Sequence, residues 1–273
     1  MELLSQLAVG LALAGLIALV AYRRGSLSRS GALGAVLIGA TIFGLGGWAW
    51  GTLLVVFFVS SSFLSHYKEQ RKAALAEKFS KGSRRDLAQT LANGGAGALI
   101  VIAHALWPSP LWWAAFVGAI ASVNADTWAT ELGVLNRARP RLITTLREAE
   151  AGTSGAVSAA GTLAALGGAA LIGLTAAGFD LAAGGAPARA LALAGAGALA
   201  GLAGSLIDSW LGATVQAIYL CEACGKETER HPFHLCGAPT RPRRGWRWLD
   251  NDWVNFVSSV AGALLAAFLM GFA

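Results

Sequence analysis

Eight apolar runs of near-spanning length dominate the chain, at about Leu3–Ala21, Gly31–Leu45, Trp48–Ser65, Leu87–Leu106, Leu111–Leu135, Thr153–Gly178, Ala188–Ala217 and Trp253–Phe272. Roughly 20 residues at 1.5 Å each cross a hydrocarbon core, so most of these runs qualify and the second is short. Only 13% of the 273 residues are charged, against roughly 25% in a soluble globular domain. So little charge cannot cover a water-facing surface of this size. Disorder is excluded as well, because 55% of the residues are hydrophobic. The expected fold is an all-α, polytopic integral membrane protein, a single domain over residues 1–273, since helices satisfy their own backbone groups in lipid.

The basic residues then set the topology. With the N-terminus placed outside, alternate loops hold Arg23, Arg24 and Arg29; seven Lys and Arg from Lys68 to Arg85; Arg137, Arg139, Arg141 and Arg147; and Lys226, Arg230, Arg241, Arg243, Arg244 and Arg247. Twenty of the 21 basic residues fall on one side, Arg189 being the exception. Cytoplasmic loops collect Lys and Arg, so the partition predicts about eight spans, an N-out/C-out orientation and a cytoplasmic (plasma) membrane protein whose active face is cytoplasmic. It also accounts for the net charge of +6 without any nucleic acid as partner. The opposite loops, Gly46-Gly47, Trp107–Pro110 and Phe179–Pro187, are too short for a domain. The first run does not read as a signal peptide, because Arg23 and Arg24 follow it rather than precede it. Ser30-Gly-Ala32 and Ser154-Gly-Ala156, with Gln89/Asn93 and Asn251/Asn255, open runs two, six, four and eight in a weak four-plus-four parallel echo. Glycine-rich sequence produces such matches by chance too.

Polar residues inside these runs carry the functional signal, since intramembrane ionisable groups are costly and mark a site by default. The fifth run ends in Ser122-Val-Asn124-Ala-Asp126-Thr-Trp-Ala-Thr130-Glu131-Leu-Gly133. Helical spacing stacks Ser122, Asp126 and Thr130, and Thr127 with Glu131. The seventh run carries Ser205, Asp208, Gly212 and Gln216 at the same depth. The bland alternative is a pair of structural polar clusters between helices. The eighth run opens Asp250-Asn251-Asp252-Trp-Val-Asn255; Asp and Asn are ordinary N-caps, but a cap accounts for one of these residues and not four. The fourth opens Arg84-Arg85-Asp-Leu-Ala-Gln89-Thr-Leu-Ala-Asn93, two guanidiniums above two amides. Gly152-Thr153-Ser154-Gly155 is read as the start of the sixth helix, where free N–H groups, two hydroxyls and the helix dipole suit an anion. The same tetrapeptide also simply caps a helix.

Most glycines need no function: small residues every three or four positions let helices pack closely in lipid. Gly195-Ala-Gly197 with Gly201 has no strand before it, and no Gly-x4-Gly-Lys-Ser/Thr phosphate loop occurs. Acids with amides suit Mg²⁺, which points to Asp126, Glu131, Asp208, Asp250 and Asp252. Arginines and hydroxyl-bearing turns suit phosphates, which adds Arg84, Arg85, Gln89, Asn93, Asn124, Thr130, Ser205, Gln216, Asn251 and Asn255. Metal and phosphates together at a membrane surface mean phosphoryl transfer to a lipid-borne acceptor.

All three cysteines lie in the loop over residues 218–250. Cys221-Glu-Ala-Cys224, His231, His234 and Cys236 read as a zinc knuckle, with His234 preferred as fourth ligand and His231 as the alternate. A redox Cys-x2-Cys is the rival, but a third cysteine and paired histidines suit a structural Zn²⁺ better, and cytoplasmic disulfides are disfavoured.

Four blocks resemble one family, the membrane proteins known as domain of unknown function 92, which includes animal transmembrane protein 19 and the plant phytyl-phosphate kinase. They are Asn124-Ala-Asp-Thr-Trp-Ala-Thr-Glu-Leu-Gly133, Gly152-Thr-Ser-Gly155, Gly204-Ser-Leu-Ile-Asp-Ser-Trp-Leu-Gly-Ala-Thr-Val-Gln216 and Leu249-Asp-Asn-Asp-Trp-Val-Asn255. The resemblance runs along most of the chain and implies a nucleotide-dependent kinase that converts a polyprenyl monophosphate into the diphosphate. On that expectation Asp126, Glu131 and Asp208 hold Mg²⁺-bound nucleotide, ATP or CTP, and the glycine-lined spans accept the prenyl tail. A transporter or scramblase of a phosphorylated lipid is the alternative, separable by whether the acids lie at the bilayer midplane. A membrane scaffold would leave the acidic stripes without purpose. Homo-oligomers are compatible with every reading.

Overall fold

The computed structural model describes residues 3–68, 84–136 and 138–272. Of the loop basic residues, Arg71, Lys72, Lys78, Lys81 and Arg137 lie outside the described residues. Eight long helices fall where the apolar runs predict them: α1 (Leu3–Arg23), α2 (Arg29–Thr41), α3 (Trp48–His66), α4 (Leu87–Leu106), α5 (Pro110–Gly133), α6 (Ala159–Ala182), α7 (Pro187–Thr214) and α8 (Asn251–Met270). A single π-helical turn, Ile42–Gly46, extends α2. Side-chain oxygens satisfy the otherwise orphaned N–H groups at several N-termini. Ser28 caps α2, Ser109 caps α5 with Pro110 at its first position, and Ser158 caps α6. Asp86 caps α4 in a reciprocal box with Gln89.

Six of these helices are long and apolar enough to cross a membrane: α1, α2 with its extension, α3, α6, α7 and α8. The other two, α4 and α5, are as long but more polar. For α5 the reason is its place. It packs against α3, α4, α6, α7 and α8, and every residue from Ala114 to Ala125 is buried. A helix enclosed by helices needs small side chains rather than lipophilic ones. A Cβ at Gly118 would run into the Gly262 carbonyl oxygen, and one at Gly201 would press on Ala121 and Ala169. Asn124 adds a polar brace: its Oδ1 accepts from Ser60 (3.0 Å) and Ser61 (3.3 Å) of α3, and its Nδ2 donates to the Gly168 oxygen of α6 (2.7 Å).

The four basic loops meet at one end of the bundle. Ser28 N–H donates to the Arg85 oxygen (2.9 Å) and Arg85 N–H to the Ser26 oxygen (3.0 Å), joining the first loop to the second. Arg85 faces Glu131 in the last turn of α5, where the third loop begins, and Ser154 of that loop bonds Gln216 at the start of the fourth.

Three expectations change. The chain is mostly but not wholly helical, because two loops fold into small antiparallel sheets. β1 (Arg141–Leu142) pairs with β2 (Ala156–Val157), and β3 (Ile218–Cys221) lies between β4 (Glu227–Thr228) and β5 (Thr240–Arg244). The sixth helix starts at Ala159 and not at Thr153, since Gly152 (φ +77°) and Gly155 (φ +81°) hold a turn in the left-handed region that no helix contains. The four-plus-four echo does not extend to packing. α2 packs along α4 and α5 along α7, but the equivalent pairs α6–α8 and α1–α3 make no comparable contact.

Gly118→Ala is expected to lower the apparent melting temperature in detergent and the yield of monodisperse protein, because overpacking costs about 1–3 kcal/mol even where neighbours can shift, and here the neighbour is backbone. Gly15→Ala, where nothing lies within 4 Å, is the control and should melt at or above the parent.

Candidate functional site

The last two turns of α5 leave the packed core and enter a cavity of about 530 Å³ at the basic end of the bundle. Its walls come from the ends of α3, α4, α5, α6, α7 and α8, from the loop over residues 136–158 and from Glu229 of the β3–β5 ribbon. Asp126, Thr130 and Glu131 face it from α5, Ser205, Asp208 and Gln216 from α7 and its end, and Asn251, Asp252 and Asn255 from α8. Arg85, Gln89 and Asn93 face it from α4, and Gly152, Thr153, Ser154 and Gly155 from the loop. Residues separated by more than a hundred positions therefore share one space.

Three members of the set stand elsewhere. Asn124 is the buried brace described above; two residues before Asp126, it points to the opposite side of α5. Arg84 faces away, its Nε donating to the Leu27 oxygen (3.0 Å) and its guanidinium lying over the Tyr22 ring at 5.4 Å. Asp250 is exposed and caps α8, accepting from Trp253 N–H (3.1 Å), so it is not placed to hold a metal in the cavity. Gln89 keeps its place in the wall, but its Oε1 is engaged by the Asp86 N–H (3.2 Å).

The charges are arranged in two groups. Ser205 hydrogen-bonds Asp126, and Ser258 Oγ donates to Asp208 Oδ2 at 3.1 Å. Asp126 and Asp208 lie within electrostatic reach of each other and of Glu229. Further along α5 Glu131 accepts from Ser65 Oγ at 2.7 Å and faces Arg85. Burial pulls the Arg85 guanidinium down to about 10 while Glu131 pushes it up, so it is cationic at neutral pH. Its guanidinium also lies over the rings of Phe57 (5.4 Å) and Phe58 (5.8 Å), a cation–π seat.

The loop turn is locked by side chains rather than by a helix dipole. Ser154 Oγ donates to Gln216 Oε1 (2.9 Å), and Gln216 Nε2 donates to Glu229 Oε1 (2.8 Å). Arg244 Nη1 donates to the Gly212 oxygen (2.7 Å) and Nη2 to the Ser154 oxygen (3.4 Å). Partial burial lowers the Arg244 pKa, opposed by Glu227 and Glu229. A Cβ at Gly155 would meet the Ala213 backbone, so only glycine lets the turn sit this close to α7.

Two further spaces adjoin the cavity. One of about 290 Å³ lies between the turn and the β3–β5 ribbon, lined by Thr153, Ser154, Lys226, Glu229 and Arg244 among others. The other is an apolar slot among α1, α2, α3 and α4, lined by Ile17, Ile38, Leu54 and Phe58, that shares Arg85 and Asn93 with the cavity. Ser65 and Glu229 are wall residues that sequence reasoning did not single out. Ser65 could have been found as a polar residue at the basic end of an apolar run. Glu229, within Lys226-Glu-Thr-Glu-Arg230, looks like any solvated loop charge.

In the ribbon, all three cysteines are free thiols, and Cys221, Cys224, His234 and Cys236 bring their ligand atoms within 4.8 Å of one another. His231 is turned elsewhere, Nδ1 against Thr240 Oγ1 (3.3 Å) and its ring stacked on Tyr219 at 4.3 Å. Among the described residues this is the group of metal-ligating side chains that converges so tightly; the cavity carboxylates are spread over its walls.

Comparison with known proteins supports the resemblance read from the motifs. Residues 12–263 match the family described as Integral membrane protein DUF92. Protein PGR of Arabidopsis thaliana is 38% identical over 279 residues, covering 96% of this chain and 93% of that protein. An uncharacterized membrane protein of Methanocaldococcus jannaschii is 28% identical over 271 residues, covering 98% and 96% respectively. Protein VTE6, chloroplastic, of A. thaliana is 25% identical over 258 residues, covering 90% of this chain and 66% of that one. No solved structure matches.

Gln216→Leu keeps the volume and removes both side-chain bonds, one to a carboxylate. A bond to a charged group contributes about 1.5–3 kcal/mol, so amide exchange across residues 152–157 should quicken about tenfold or more, with α5 and α7 unchanged. Hydrogen-exchange mass spectrometry reads this directly.

Proposed function

The chain belongs to the DUF92 family of integral membrane proteins, and we propose that it is a membrane-embedded kinase of isoprenoid monophosphates. It would transfer a phosphoryl group from a nucleoside triphosphate, ATP or CTP, to a polyprenyl or phytyl-type phosphate and release the prenyl diphosphate. One observation carries this reading: a polar cavity bearing carboxylates, Arg85 and a hydroxyl-rich turn meets an apolar slot, and the two share Arg85 and Asn93. An amphiphile with a phosphate head fits that junction.

In this arrangement Arg85 and Asn93 hold the acceptor phosphate, with the start of the tail in the slot and the rest in lipid. Thr153, Ser154 and the space beside Lys226 and Arg244 receive the nucleotide. The donor set fits Mg²⁺, which keeps several waters and takes one or two carboxylates plus phosphate oxygens rather than a closed protein cage. Asp126 and Asp208, within electrostatic reach of each other, would hold it, and Glu131, bonded to Ser65 and facing Arg85, would orient the arginine. Bound Mg²⁺ supplies neutralisation of the phosphate oxygens. An acceptor phosphate oxygen forms the new P–O bond as the bond from the γ-phosphorus to the nucleoside diphosphate breaks. The acceptor is already an oxyanion, so no side chain has to remove a proton, and the residues act by position and charge.

The bias of basic residues to the loops at this end supports a cytoplasmic cavity. Its place at one end of the bundle supports an enzyme over a transporter, whose site would lie near the midplane.

The test is conversion of phytyl or geranylgeranyl monophosphate by the purified protein with Mg²⁺ and ATP or CTP, read as diphosphate by mass spectrometry. Asp126→Asn and Asp208→Asn should each lower kcat about 100-fold or more, the scale of losing one preorganised electrostatic contact. Arg85→Gln should raise KM for the prenyl phosphate about tenfold, the size of one charge-assisted bond. Asp250→Ala should keep its rate and lose about 1 kcal/mol of stability, as a cap does. No diphosphate with either nucleotide, or an Asp126→Asn enzyme equal to the parent, overturns the proposal.

A further inference from the structure

The ribbon beside the cavity consists of two turns of similar build. In the first, Gly225 N–H donates to the Cys221 oxygen (2.9 Å), Gly225 lies at φ +66°, and Cys224 N–H points at Cys221 Sγ (3.4 Å). In the second, Gly237 N–H donates to the His234 oxygen (2.9 Å) and Gly237 lies at φ +82°. Each turn presents two ligands to the same point. Cys221 Sγ and Cys236 Sγ are 3.6 Å apart, Cys224 Sγ and Cys236 Sγ 3.4 Å, Cys224 Sγ and His234 Nδ1 3.7 Å, and His234 Nδ1 and Cys236 Sγ 3.3 Å.

A tetrahedral zinc with Zn–S of about 2.3 Å and Zn–N of about 2.0 Å sets its ligand atoms roughly 3.5–3.8 Å apart. A disulfide would need about 2.05 Å and would use only two of the three sulfurs. The four edges therefore outline a metal tetrahedron. His234 Nε2 is buried with no hydrogen-bond partner among the described residues, which leaves Nδ1 as the engaged nitrogen.

We propose that Cys221, Cys224, His234 and Cys236 bind one Zn²⁺, with all four positions filled by protein, and that the ion fixes the ribbon against the cavity. Binding displaces the thiol protons to solvent and leaves a closed, non-catalytic centre. What the ion steadies is the other end of the same strands: Glu229, just past β4, bonds Gln216, and Arg244, the last residue of β5, bonds Ser154 and Gly212. Zinc-site folding is thereby coupled to the wall of the cavity without the ion touching it.

The test uses the full chain purified in detergent through a tag that does not bind metal. Elemental analysis should find about one zinc per chain, as for a structural site. Cys224→Ser and Cys236→Ser should lose it, while His231→Ala keeps it. If the cysteine variants fail to fold, cobalt-loaded parent protein should show thiolate-to-metal absorption in a tetrahedral pattern. Stripping the ion with a chelator should open tryptic cleavage at Lys226, Arg230 and Arg243 at least tenfold faster, with the helices intact, and added zinc should restore protection. Zinc in fewer than about one chain in ten, full retention in both cysteine variants, or cleavage indifferent to the chelator overturns the proposal. None of these readouts involves nucleotide or prenyl phosphate, so the result stands apart from that of the kinase assay.

Discussion

The structure depends on how closely helix backbones approach α5. Twelve consecutive residues of that helix, Ala114 to Ala125, are buried, and five neighbouring helices pack against it. In lipid there is no hydrophobic drive between helices, so association comes from van der Waals contact and a few polar bonds. Gly118 against Gly262, Gly201 against Ala121 and Gly204 against Ser122 supply the first. Asn124, bridging α3 and α6, supplies the second. Asp126, the residue directly after these twelve, inherits a fixed position from this packing and a hydrogen bond from Ser205.

Much of this was legible beforehand, and the reasons for the rest are specific. Apolar runs located the eight long helices among the described residues because a span has a length and a composition that loops do not share. The stripes Asp126/Thr130 and Ser205/Asp208 converged because i, i+4 and i, i+3 spacings on neighbouring helices survive into three dimensions. Asn124 belongs to the same motif as Asp126, yet a two-residue offset turns it about 200° around the helix. Arg84 and Arg85 differ by one position outside a helix, and the strand-like bridge to the first loop decides which enters the cavity. Thr153 and Ser154 precede the sixth helix by a turn that two positive-φ glycines enforce. Glu229 was invisible because only the folding of a remote loop brings it to Gln216.

The ribbon and the bundle solve different problems. Helices in lipid satisfy their backbone internally, whereas a loop of some 35 residues over an open cavity has too little apolar side-chain mass to order itself. Its Cys and His residues converge where a small hydrophobic core would otherwise stand. Gln216 links the two parts, since it is almost wholly buried and bonds both the turn and the ribbon.

Arg85 borders two media, with its guanidinium over Phe57 and Phe58 on one side and Glu131 on the other. Its backbone is clamped to Ser26 and Ser28, so this cation cannot ride up or down with the bilayer. For the proposed prenyl phosphate it would serve as a depth gauge. An amphiphile is registered by where its polar head stops, not by how far its tail extends, so chains of unequal length would present their heads at one level.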